Sequence, residues 1–148
     1  KTIIMNKLFL TMTLAFSTMI ASAQYSVLTT ITSVEEENET TYNITDELGV
    51  GYQVGEKLMV GLTRNGDDNF NLLGRYALMN GVWGTCIYNY SAENFQETEL
   101  MDNVKLGLGY SFKVWNNLYV DPSYTMPAKE NEAGEREGTF NLGVSYKL

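Results

Sequence analysis

The sequence predicts an all-β fold, an eight-stranded antiparallel up-and-down transmembrane β-barrel, and three observations carry that prediction. Segments of period-2 alternation recur from Tyr25 to Leu148, with turn residues between them. Within them Leu, Val, Tyr and Phe share one face, while Gly, Ser, Thr and Asn dominate the other. A soluble barrel or sandwich packs bulky apolar side chains inside, whereas small polar residues suit the crowded interior of a narrow barrel whose outside meets lipid. The connections also alternate between tight and long, as in a barrel with short turns at one rim and loops at the other.

A leader precedes the strands. Lys7 stands ahead of the apolar run Leu8–Phe16, which continues to Ile20, and Ala21-Ser22-Ala23 forms a small-x-small cleavage site. This reads as a secretory signal peptide, residues 1–23, with Met5 the expected start and Lys1–Ile4 an upstream extension. The run is short for a spanning helix of ~20 residues. The expected mature domain is residues 24–148, one barrel with no further domain. Without Lys1 and Lys7 it carries 8 basic and 18 acidic residues.

The predicted strands are Tyr25–Val34, Tyr42–Val54, Lys57–Arg64, Phe70–Leu78, Val82–Ser91, Asn103–Lys113, Asn117–Met126 and Gly138–Leu148. The first does not settle its faces, because Val27, Leu28, Ile31 and Val34 fall on both. In the others the even positions are apolar: Leu48, Val50, Tyr52 and Val54 alternate with Glu47, Gly49, Gly51 and Gln53, and Val104 to Phe112 repeat the pattern against Lys105 to Lys113. Most strands approach the ~9–11 residues that a tilted membrane strand needs.

Gly55-Glu56, Met79-Asn80-Gly81 and Val114-Trp115-Asn116 are the predicted tight turns. Residues 35–41, 65–69, 92–102 and 127–137 are the predicted loops. Three turns and four loops close an eight-stranded count, with both chain ends expected in the periplasm. Aromatic residues gather near strand ends: Tyr42, Phe70, Tyr90, Tyr124 and Phe140 towards the loops, and Tyr52, Tyr76, Phe112 and Tyr146 towards the turns. Amphipathic rings prefer the headgroup level, so these are the expected girdles.

The last strand, GTFNLGVSYKL, alternates to Leu148. It resembles the C-terminal targeting strand of bacterial outer-membrane barrels, with Asn141, Gly143, Tyr146 and Leu148 at its signature places; the family usually ends in Phe. The segments Leu48–Leu62 and Leu106–Pro127 look like the repeating hairpins of the same proteins. The whole domain resembles the small OmpX/OmpA-type barrels and the outer-membrane β-barrel proteins of Bacteroidetes-type bacteria, and more loosely the OmpW-like barrels. The resemblance implies an outer-membrane location, insertion by the barrel assembly machinery, and contact with lipid and lipopolysaccharide, as a monomer.

Composition narrows the chemistry. A net charge of −8 offers no basic footprint for nucleic acid. Cys86 is the one cysteine, so no internal disulfide forms. There is no histidine, the usual general base. Cys86 is at an outward position with no base in view, and a thiol buried in apolar surroundings is inert. No catalytic residue, metal ligand set or cofactor is therefore expected. The loops hold Glu35, Glu36, Glu37, Glu39, Asp67, Asp68, Glu93, Glu97, Glu99, Glu130, Glu132, Glu135 and Glu137, thirteen of the 18 acids, with Asp102 a fourteenth at the end of the third loop. They read as a solvated outer rim that divalent ions could bridge to lipopolysaccharide.

Glu47, Arg75, Lys105 and Asp121 occupy inward positions. On the lipid face an Arg or Lys would cost ~2–4 kcal/mol at the midplane, but inside they can pair. The expectation is a salt-bridged plug completed by Gln53, Asn71, Asn89, Ser111, Tyr119 and Ser123. The expected role is structural or surface-interactive, through the acidic loops. A narrow channel for ions or small hydrophobic solutes and a soluble, secreted lipocalin-like barrel are the competing classes.

Overall fold

The computed structural model describes residues 24–36, 39–44, 47–65, 69–91 and 100–148. The expected leader, residues 1–23, lies outside them, as do the loop acids Glu37, Asp67, Asp68, Glu93, Glu97 and Glu99.

Ten strand segments lie among the described residues: β1 Gln24–Glu36, β2 Glu39–Asn43, β3 Gly49–Val54, β4 Leu58–Arg64, β5 Asn69–Met79, β6 Val82–Ser91, β7 Val104–Tyr110, β8 Phe112–Trp115, β9 Leu118–Pro127 and β10 Thr139–Lys147. They form eight staves, because β2 and β3 both pair with β1 and make one interrupted stave, as do β7 and β8 along β9. Consecutive staves are antiparallel neighbours, and β10 pairs with β1 as well as with β9. The ring therefore closes and no long edge is left between first and last staves.

The register gives the stagger of the ring. Thr139 pairs with Thr125, Thr125 with Gly107, Gly107 with Thr85, Thr85 with Arg75, Arg75 with Met59, Met59 with Gln53, and Gln53 with Gln24. Ser26 faces Lys147, so Gln24 falls two places beyond Lys147, ten residues from the start. Such a stagger tilts the strands by ~40° and leaves an interior that side chains can fill.

Inside and outside follow the alternation. Val50, Leu62, Leu72, Leu108, Met126 and Leu142 are exposed on the outer wall, while Ser26, Thr63, Asn71, Thr85, Thr125 and Ser145 are buried within. β1, whose faces the sequence left open, buries Ser26 and Leu28 and turns Tyr25 and Val27 outward. Phe70 to Leu78 on β5 and Val104 to Phe112 on the sixth stave present no charge outward. Nine residues at ~3.3 Å each, tilted ~40°, give a band about 23 Å tall, close to the ~25 Å apolar belt of membrane barrels.

Two staves are broken where the sequence predicts continuous strands. From Leu28 to Thr32, β1 advances four residues while its partner stave runs six, from Gly49 back to Asn43. The partner stave is thus two residues longer across the break, and the Thr29 hydroxyl donates to the Ile44 carbonyl there. At the other break Ser111 leaves the ladder between β7 and β8, and its N–H bonds the Gly81 carbonyl across the turn, at 2.9 Å.

The three tight turns each contain a left-handed residue: Gly55 (φ 69°), Gly81 (φ 76°) and Asn116 (φ 30°). Glycine and asparagine tolerate that region best. The third turn is Asn116-Asn117 rather than Val114-Trp115-Asn116, because Val114 and Trp115 stay in β8. β-branched and aromatic residues favour the pleated strand over the turn. At the opposite rim, Asn131 organises the 127–137 loop by accepting from the N–H groups of Ala133 (3.1 Å) and Glu135 (2.8 Å).

Candidate functional site

The lumen is the candidate site, and its centre is built by four successive staves. Odd positions point inward from β5 onward, so Arg75 on β5, Trp83 on β6, Ser111 at the β7–β8 joint and Asp121 on β9 meet there. Arg75 Nη1 donates to Asp121 Oδ2 at 3.0 Å. The Ser111 hydroxyl donates to Asp121 Oδ1 at 2.7 Å. Trp83 Nε1–H donates to Ser111 Oγ at 3.0 Å, and the Arg75 guanidinium carbon lies 4.1 Å from a Trp83 ring centroid. The contacts form a closed circuit of the four side chains.

Burial makes the circuit costly to break. The Asp121 residue is 1% exposed and Trp83 7%. A carboxylate so buried needs both oxygens engaged, and here both are. The close fit needs Gly109, because a Cβ there would overlap the Trp83 ring. The other half of the layer is apolar: Leu28 and Leu73 are buried against Gly51 and Gly61.

This layer divides the lumen. On the turn side lies a vestibule of about 720 Å³, and on the loop side a chamber of about 90 Å³. Arg75 and Trp83 line both.

The predicted four-charge network contracts to one ion pair. Glu47 and Lys105 line the loop-side chamber with Asn71, Asn89 and Ser123, but among the described residues neither joins the Arg75–Asp121 pair. Register explains Lys105: it faces Pro127, six residues beyond Asp121 on β9, or about 20 Å of strand at ~3.3 Å per residue. Glu47 sits in the break ahead of β3. Of the expected fillers, Gln53 lines the vestibule and Ser111 enters the circuit. Tyr119 lies under Lys147, whose Nζ is 4.3 Å from the ring centroid. Trp83 is the residue that the sequence reading did not name; its inward parity on β6 was the available signal.

The proposed assembly strand has two aspects. Asn141 Nδ2 donates to Thr125 Oγ1 at 3.0 Å inside the barrel, and Gly143 faces Asp121 in register. Tyr146 and Leu148 point outward, and the Leu148 N–H bonds the Tyr25 carbonyl at 2.8 Å.

The aromatic residues pair across strands on the outer wall. Phe70 faces Tyr90 and Phe140 faces Tyr124 near the loops. Near the turns Tyr25 and Tyr52 rings lie 5.6 Å apart across β1 and β3, while Tyr110 and Phe112, successive outward positions of one stave, hold their rings 4.4 Å apart. Tyr76 and Tyr146 are exposed at the same rim. Cys86 is exposed on the outer wall. Among the described residues no three His, Cys, Asp or Glu side chains gather as a metal site. Among the described residues two ion pairs decorate the loop rim, Lys129–Asp102 at 2.7 Å and Arg136–Glu130 at 3.7 Å.

No family model and no curated protein matches this chain. Its structure is similar to the solution NMR structure of the de novo designed TMB2.3, a transmembrane β-barrel, with a TM-score of 0.50 and 17% identity over 85% of this chain and 94% of that one. At such identity the likeness is one of fold, and the fold is an all-β, eight-stranded antiparallel closed barrel.

Proposed function

We propose that this chain is an integral barrel of a bacterial outer membrane, of the small OmpX/OmpA type, with a closed lumen and a structural or surface-interaction role. The observation that carries the reading is the inverted distribution of polarity: a charge-free apolar belt outside and a polar, ion-paired layer within. A soluble barrel would need that belt in its core, since exposed apolar patches of this extent mark interaction surfaces. The cross-strand aromatic pairs at both rims support a belt bounded by two interfaces.

In this reading the turn rim, with Gln24 and Lys147, faces the periplasm, and the loop rim faces outward. Asn141, Gly143, Tyr146 and Leu148 serve the barrel assembly machinery as a recognition strand. The acidic loops meet lipopolysaccharide and the surroundings, and the monomer carries no catalytic residue or cofactor. Fractionation of an expressing Gram-negative cell tests this, followed by gel mobility with and without boiling. Recovery from the outer membrane with a heat-dependent shift supports it; release as a soluble protein without a shift sinks it.

A further inference from the structure

We propose that the turn-side vestibule binds small amphiphilic monoanions, carboxylates with a short apolar tail. The vestibule's volume, about 720 Å³, is that of a small-molecule site rather than of an interstitial gap. Its floor is the Arg75–Trp83 layer, and its lining carries Lys57 and Lys147 against the single acid Glu56. That balance reverses the sign of a chain with net charge −8. Arg75 gives one of its five N–H donors to Asp121 and still borders the cavity, so a donor can reach a bound carboxylate.

The wall is two-sided. Met59 and Met79, from β4 and β5, lie on one side, and methionine adapts to varied apolar shapes. Ser26 and Ser145, on β1 and β10, line the other. An anion with an apolar tail satisfies both: its head at the lysines and Arg75, its tail over the methionines. The vestibule has this shape whether the outer wall meets lipid or not, so the inference stands apart from the membrane reading.

The chain has two tryptophans, so its indole N–H spectrum in a neutral detergent holds two signals, and the Trp83 signal reports on the vestibule floor. Phenylacetate and its uncharged partner 2-phenylethanol are titrated separately. The expected result is a saturable shift of the Trp83 signal with phenylacetate and none of comparable size with the alcohol. Lys57→Gln together with Lys147→Gln should weaken the response about tenfold, as two partly exposed charges allow. The amide spectrum reports whether this double variant is folded; if it is not, the single Lys57→Gln change at the turn, expected to weaken binding about threefold, takes its place. No saturable shift, an equal shift with the alcohol, or an unchanged response in the lysine variants would overturn the proposal.

Discussion

Arg75 and Asp121 sit on β5 and β9, three staves apart around the ring, yet their side chains meet at 3.0 Å inside the lumen. The pair crosses a space that the backbone leaves open. From the two intervening staves, Ser111 donates to the other Asp121 oxygen, and Trp83 packs its ring against the guanidinium while donating to Ser111.

Removing one partner should therefore cost far more than removing both. Asp121→Ala leaves the Arg75 charge buried without its partner, and the expected loss is ~3–5 kcal/mol in urea unfolding from lipid vesicles. Arg75→Met with Asp121→Leu removes both charges and should recover most of that loss. A loss from Asp121→Ala below about 1 kcal/mol, the range of an exposed pair, would mean that water reaches the site.

The Trp83 ring depends on the absent side chain at Gly109. Gly109→Ala should destabilise by ~1–3 kcal/mol, as overpacking does. The smaller ring of Trp83→Phe should reduce the penalty for the same alanine, giving a measurable coupling in a double-mutant cycle. Additive losses would separate the two residues.

Position along the outer wall should set the cost of a charge. Leu108→Arg lies mid-belt and is expected to cost ~2–4 kcal/mol, while Leu78→Arg, beside the Gly81 turn, should cost ~0–1 kcal/mol. Equal costs from the same vesicle titration would remove the depth dependence that a bilayer imposes.

The central layer predicts electrical silence. Wild-type protein in a planar bilayer should show no steady conductance, because the Arg75–Trp83–Ser111–Asp121 layer separates the vestibule from the loop-side chamber. Arg75→Ala with Trp83→Ala joins the vestibule to the loop-side chamber and should produce steps. Steady wild-type openings would contradict a closed lumen.

Much of this architecture is legible in the sequence, for local reasons. Alternation sets the faces of Leu106–Phe112 and Phe70–Leu78 without knowledge of any neighbour. Gly55 and Gly81 mark turns through their own backbone preference. The lumen was legible only as a set of inward positions, because partners there depend on how the ring closes. A stagger of ten residues brings Asp121 opposite Ser111 and within reach of Arg75, and leaves Lys105 far along the stave. The break before Gly49 and the inward turn of Leu28 follow from how β1 pairs with β2, β3 and β10, again a non-local event. Trp83 escaped notice because a large apolar ring among polar inward residues gains meaning only beside Arg75 and Ser111.

The most direct test of the central claim, apolar wall outward into lipid, uses one cysteine at a time on β6. Cys86 is exposed on the outer wall, and Thr85 beside it is buried in the lumen. A small fluorophore on Cys86, and on Thr85→Cys in a Cys86→Ser background, is compared in vesicles with and without bromine-labelled acyl chains. Strong quenching at position 86 with little at position 85 is the predicted result. Quenching at 85 but not 86, or at neither, would contradict a barrel that faces lipid with its Leu, Val and Tyr side chains.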